Sequence, residues 1–339
     1  MKKTLIKNIL CLSIAASAAS LASAETVLKV ADWQPVGMPI VEHGVKPWME
    51  NIETASAGDI KFEYFPAQQA GKASEMYDLV KNGVVDISHV SAAYHSSRFP
   101  LSGVAELPGL FGTTCEGSQA LTTLTREGGT LDRMEYQKND IITLWSVTNG
   151  QYLFVTRKND IQKVGDLRGS RIRGGGGTIS LTIGMLGASP INMTGPDMIT
   201  SLERGTLDGA VVPISAIYPY GLADIIDSVT PDLNLGDFVS LYIMRRDRWE
   251  SLTGEQRAAI RGESEKIVQH FCEKSDEISK QITEQLQADN IKIQTPEAAL
   301  QTHASAAYKK VRSTWVDSLS KRKLDAAPVL DEFVQALQK

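Results

Sequence analysis

Residues 171–177 read RIRGGGG, two arginines followed by four glycines. Glycine-rich backbone beside positive charge suits an anion, because side chains are out of the way and backbone N–H groups are free to donate. A P-loop would need Lys and then Ser or Thr after the glycines, whereas this run continues Thr178-Ile179-Ser180. A dinucleotide fingerprint would join the first strand to a helix, with an acid roughly 20 residues on. Asp197 falls in that range, but an exported chain, as the N-terminus below indicates, has no ready supply of dinucleotide. A hydrolase is equally unsupported. There is no G-x-S-x-G, and His43, His89, His95, His270 and His303 show no nucleophile-base pattern. No Cys/His cluster has metal-ligand spacing. The sequence therefore asks for no catalytic residue, no metal and no cofactor.

What remains is Arg173. A guanidinium can grip a carboxylate with two parallel hydrogen bonds, and Gly174 and its neighbours would let ligand and backbone approach closely. Arg171 and Arg173 read equally well as surface charges ahead of a flexible loop, and the residues alone leave both readings open.

The elements that would position such a site alternate. TVLKVADW (26–33), IKFEYFP (60–66), VVDISHVS, IITLWSV (141–147) and YLFVTR (152–157) read as strands. A helix is expected from about Pro39 to Ala55, and KASEMYDLVKNG reads as a short helix closed by Gly83. VGDLRGSRIRG reads as a loop entering a short strand. This order argues an α/β architecture with mainly parallel sheets. EMYDLVKNGVVDISHV (75–90) echoes DMITSLERGTLDGAVV (197–212), with Met76 over Met198, Gly83 over Gly205, Asp86 over Asp208 and Val90 over Val212. The echo points to two lobes of similar design. From Gly254 to Asn290, Ile260, Ile267, Phe271, Ile278, Ile282 and Leu286 form the stripe of one long helix, expected to lie across the lobes, and a second helical pair follows over 296–336.

Lys2, Lys3 and Lys7 precede an apolar run from Ile9 to Leu21, and Ala22-Ser23-Ala24 offers a cleavage site. This is the pattern of a secretory signal peptide over 1–24, too short to span a bilayer. Its removal makes the formal net charge of −5 three units more negative, so no general attraction to nucleic acid or anionic lipid is expected. Cys115 and Cys272 could pair in an oxidising compartment or remain as two thiols.

Over nearly the whole mature chain the sequence resembles the extracytoplasmic solute-binding proteins of tripartite ATP-independent periplasmic (TRAP) transporters, the DctP-type receptors. The stretches that carry the resemblance are 65–111 (FPAQQAGKASEMYDLV…), VGDLRGSRIR, MLGASPINMTGPDMITSLERGTLDGAVVP and FVSLYIMRRDRWESLTGEQRAAI. It implies a two-lobed periplasmic-binding-protein-like fold with a long lobe-spanning C-terminal helix. Lobe I would hold 25–149 and 239–270, lobe II 150–238, and 254–339 would pack helices on both. It implies a periplasmic receptor, not an enzyme, that closes on a small organic acid and delivers it to TRAP membrane permease subunits, as a monomer or homodimer. Other uses of the fold, a sensor or scaffold for a bound acid and a secreted enzyme, are the alternatives.

In this family the arginine of DL-x-G-x-x-I-R pairs with the ligand carboxylate, which assigns that role to Arg173. Two positions depart from the pattern. A second family arginine would fall at Tyr152, or at Gln151 with a one-residue slip, and the asparagine of DG-x-x-N-P is replaced by Val212. With one cation and one polar contact fewer, a second ligand charge would be poorly compensated. The expectation is a monocarboxylate with an aromatic or hydroxylated body, lined by Tyr152, Val212, Tyr218, Trp33 and Tyr94, with Gln68 or Gln69 as neutral partners.

Overall fold

The structure is a computed structural model that describes residues 25–338; the expected signal peptide lies outside the described residues. The strands are β1 (Thr26–Ala31), β2 (Ile60–Phe65), β3 (Ile87–Ser91), β4 (Ile141–Thr148), β5 (Tyr152–Thr156), β6 (Arg171–Gly174), β7 (Ser189–Asn192), β8 (Gly209–Pro213), β9 (Ser228–Thr230), β10 (Val239–Arg245) and β11 (Lys292–Ile293). The helices are α1 (Lys46–Ala55), α2 (Met76–Lys81), α3 (Thr114–Thr125), α4 (Gly177–Leu186), α5 (Gly195–Glu203), α6 (Arg246–Ser251), α7 (Gly254–Ala288), α8 (Ala298–Lys321) and α9 (Ala327–Ala336).

They build two sheets, ordered β2-β1-β3-β10-β4 in lobe I and β11-β9-β5-β8-β6-β7 in lobe II. The central strands β3, β5 and β8 are buried at every residue, as strands covered on both faces must be, whereas edge strand β2 is half-exposed.

The sequence echo has a structural meaning. β3 lies between parallel β1 and antiparallel β10, and β8 lies between parallel β6 and antiparallel β5. Each is reached from a helix through a glycine in the left-handed region, Gly83 at φ 70° and Gly205 at φ 69°, where a Cβ would be strained. The echoed acids match too. Asp86 accepts from the Lys29 N–H of β1, and Asp208 accepts from the Arg171 N–H of β6. Each carboxylate thus ties the start of its strand to the parallel neighbour.

Residues 149–151 carry the chain from β4 to β5, and 231–238 carry it back from β9 to β10. The two crossings hold each other: the Asn149 N–H donates to Asp237 Oδ1 at 2.7 Å, and Tyr152 N–H donates to Gly236 O at 3.0 Å. α7 starts at Thr253, whose hydroxyl accepts from Gln256 N while its own N–H donates to Gln256 Oε1. It packs on α1, α3 and β4 of lobe I and on β11 of lobe II. The helix expected from about Pro39 to Ala55 runs over that span and widens to a π-helical turn at Val41–Val45, where the chain passes Trp145. Cys115 of α3 and Cys272 of α7 are joined in a disulfide with Cα atoms 4.8 Å apart. The sequence left that pairing open, because its 157-residue separation says nothing about distance in space.

Candidate ligand-binding site

In open α/β sheets, ligands sit beyond the carboxyl ends of the strands. Here those ends meet across the cleft. From lobe I come Trp33 and Gln34 after β1, Tyr94 after β3 and Asn149 after β4. From lobe II come Arg173 of β6, Val212 of β8, Gly195 of α5 and Tyr220, joined by Tyr152 at the amino end of β5, which runs antiparallel to β8. Together they line one narrow cavity in the closed cleft.

Arg173 is 2% exposed. Its Nε donates to Met193 O at 3.0 Å, Nη1 to Val211 O at 3.4 Å and Nη2 to Tyr94 Oη at 3.0 Å. All three acceptors are neutral, and among the described residues no carboxylate pairs with this guanidinium. Tyr94 Oη also accepts the first N–H of α5, from Gly195 at 2.7 Å. That bond, Arg173–Tyr94 and Tyr220 Oη to Gln34 Oε1 at 3.1 Å all run between lobes, so the cleft is closed. Burial raises the phenol pKa of Tyr94, with Arg173 partly opposing it, and pushes Tyr152 and Tyr220 well up. The phenols are therefore neutral, and Arg173 is the one charged side chain among the described residues of the wall. A buried cation without a counter-ion is costly and well placed to receive an anion.

Arg171, two residues away, does the opposite. It is exposed and held by Asp208, with Nε to Oδ2 at 3.1 Å and Nη2 to Oδ1 at 2.9 Å.

The glycines have a different task from the expected one. A Cβ on Gly174 would meet Ser180 Oγ at 2.7 Å and Ile183 at 2.9 Å, so its bareness seats α4 against β6. A Cβ on Gly175 would meet Phe238 at 3.0 Å, and one on Gly176 would meet Ala93 O at 2.9 Å. These two let lobe II close on the Ala93 and Phe238 segments.

Of the expected lining residues, the structure brings Trp33, Tyr94, Tyr152, Arg173 and Val212 to the cavity, and Gly174, Gln69 and Tyr218 lie off its wall. Tyr218 turns away and donates to Asp289 at 2.6 Å, at the end of α7. Tyr220, two residues on, lines the cavity instead. Gln69 is exposed at a turn, and the Gln68 amide accepts from Ala73 N. Gln34 is the glutamine of the wall. Tyr152 reaches the cavity and stacks on Phe238, with centroids 5.8 Å apart, whereas Gln151 donates to Gly112 O. Gln34, Asn149, Gly195 and Tyr220 were missed. The adjacency of Gln34 to Trp33 was the one available signal.

A model of the DctP family, the bacterial extracellular solute-binding proteins of family 7, matches residues 36–316. The chain belongs to that family. Its relatives among solved structures are TRAP solute-binding proteins. One from Rhodoferax ferrireducens T118, with copurified benzoate, is 23% identical with a TM-score of 0.85 and covers 92% of this chain and 98% of its own. One from a marine metagenome, specific for aromatic acids and holding metahydroxyphenylacetate, is 25% identical with a TM-score of 0.84, covering 93% and 99%. One from Bordetella bronchiseptica with bound mandelate is 24% identical with a TM-score of 0.83, covering 92% and 99%. The Salmonella typhimurium protein YiiZ is 35% identical over 165 residues, 48% of this chain and 49% of YiiZ, so the chain matches about half of that relative's length. This DctP-family chain is thus a solute-binding receptor and not an enzyme, with two α/β lobes. Among its described residues no helix is long and apolar enough to cross a membrane.

Proposed function

We propose that this chain is the receptor of a TRAP transporter for a small monocarboxylate with an aromatic or hydroxylated body, held by Arg173 and handed to membrane permease subunits. The single observation that carries the reading is a guanidinium 2% exposed and bonded only to neutral oxygens. A carboxylate supplies the missing charge and can take the donors that remain. One cation compensates one anion. Tyr152 and Val212 stand where the family pattern has further polar groups, and Met38, Met198 and Ala216 complete an apolar wall. A second carboxylate would lie there uncompensated. The aromatic acids held by the three structural relatives described above support the same ligand class. Export through a cleaved N-terminal signal and action in the periplasm belong to this proposal.

A thermal-shift screen tests it. Benzoate, mandelate or a similar monocarboxylate should raise the melting temperature, because a ligand that binds only the folded state stabilises it by mass action. Succinate and other dicarboxylates should not. A dicarboxylate that stabilises more than every monocarboxylate would overturn the proposal.

A further inference from the structure

Three buried carboxyls, Glu106, Glu135 and Asp237, stand close enough to repel one another. Two of them are tied within their own surroundings. Glu135 accepts from the N–H groups of Leu101 and Ser102, at the start of the 3-10 helix Ser102–Glu106. Asp237 accepts from Asn149 N and Phe238 N, inside the two crossings. Of the three, Glu106 alone bonds from one lobe to the other. Its Oε1 accepts from Val239 N, at the start of β10, at 3.3 Å, and its Oε2 accepts from the Thr178 hydroxyl, in the first turn of α4, at 3.2 Å. α4 follows Arg173 directly after Gly174, Gly175 and Gly176. The movement that brings Arg173 to Tyr94 therefore also brings Thr178 to Glu106. The approach is close: a Cβ on Gly177 would stand 3.4 Å from Glu106 Oε2.

Among the described residues no Lys or Arg pairs with this carboxyl. Arg322, just after α8, lines the same surface pocket, but it is exposed and donates to Ser97 O at 3.1 Å. Glu135 and Asp237, the other charged groups that face Glu106, are acids. Burial pushes the Glu106 pKa up to about 8, Glu135 adds to the rise, and bonds from Val239, Thr178 and Ala93 oppose it. Opening the lobes would take α4 off the carboxyl and admit water, which favours the ionised form. We infer that Glu106 is the clasp that fastens α4 to lobe I, and that the lobes close with a proton taken up at this carboxyl. The closed state holds the proton to a higher pH than the open one, so closure is favoured below the closed-state value and lost as pH rises through it. An acid anion then enters the cleft together with a proton that stays clear of the ligand. This consequence for binding rests on the carboxylate reading of Arg173, and the clasp itself does not.

Small-angle scattering of the ligand-free protein reads the clasp. The radius of gyration should grow between about pH 6 and 9, whereas Glu106→Gln, which keeps the shape but cannot ionise, should hold one radius over that range. Thr178→Val leaves Glu106 in place and removes its partner, so it should open at a lower pH than wild type. A constant wild-type radius overturns the inference, as does growth that survives in Glu106→Gln or an unshifted opening in Thr178→Val. Should Glu106→Gln not fold, wild type and Thr178→Val decide. Calorimetric titration with benzoate reads the binding. Kd should rise about tenfold or more from about pH 6 to 9 in wild type, and by less than roughly threefold in Glu106→Gln. A wild-type change below about threefold overturns the link between proton and ligand. Failure of benzoate to bind at either pH counts against the carboxylate reading of Arg173 and leaves the clasp to be decided by scattering.

Discussion

Replacing Arg173 by Met should separate stability from binding. In the ligand-free chain the substitution removes three hydrogen bonds to neutral oxygens, each worth about 1.5–3 kcal/mol when the donor is charged. It also removes a buried, unpaired cation, whose desolvation costs several kcal/mol. These terms oppose each other and are of similar size, so ligand-free stability should change by less than ~2 kcal/mol. Binding has no such compensation. Truncating one partner of a buried charge pair costs about 2–5 kcal/mol, which is roughly a 30- to 5,000-fold rise in Kd. At a ligand concentration of ~100 Kd the wild type gains about 2.7 kcal/mol, or roughly 5 °C in melting temperature. The same acid should move Arg173→Met by less than about 2 °C. Differential scanning fluorimetry with calorimetry reads both quantities. Binding retained within threefold of wild type would refute the assignment. A collapse of ligand-free stability by more than ~4 kcal/mol would refute the argument that the buried charge is an energetic liability waiting for an anion.

Other parts of the structure give further expectations. Glu106 is buried, and desolvation raises its pKa from 4.5 to about 8 against hydrogen bonds from Val239 N and Thr178. A carboxyl that holds its proton longer when folded stabilises most below its unfolded pKa and loses that contribution as pH rises through the folded value. Wild-type stability should therefore fall between pH 6 and 8.5, and Glu106→Gln should flatten that slope; equal slopes in urea titrations would refute it. The disulfide between Cys115 and Cys272 ties α3 to the long helix, so Cys272→Ser should cost about 2–5 kcal/mol in chemical denaturation, and an unchanged midpoint would show that the bond adds nothing. Tyr94→Phe removes an oxygen that accepts from Arg173 and Gly195 across the cleft. The ligand-free variant should open and show a larger radius of gyration in small-angle scattering, whereas an unchanged radius would mean that other contacts hold the lobes.

Local pattern alone determined much of this protein. Period-two and period-3.6 hydrophobicity marked the strands and α7, because an element's exposed and buried faces are set by residues a few positions apart. The echo between 75–90 and 197–212 carried the two-lobe plan, since the same turn chemistry at Gly83 and Gly205 and the same carboxylate at Asp86 and Asp208 build the same strand position twice. Arg173 stood out by its type and its place before the glycines. Tertiary structure alone decided what Arg173 lacks: that it is buried without a carboxylate depends on Tyr94, Met193 and Val211, which are 79, 20 and 38 positions away. It also decided that Tyr220 and Gln34 face the cavity while Tyr218 and Gln69 do not, that the glycines serve closure of the lobes, and that Cys115 meets Cys272. Each of these depends on which distant segments pack together, and the spacing of residues along one segment does not encode the distance to another.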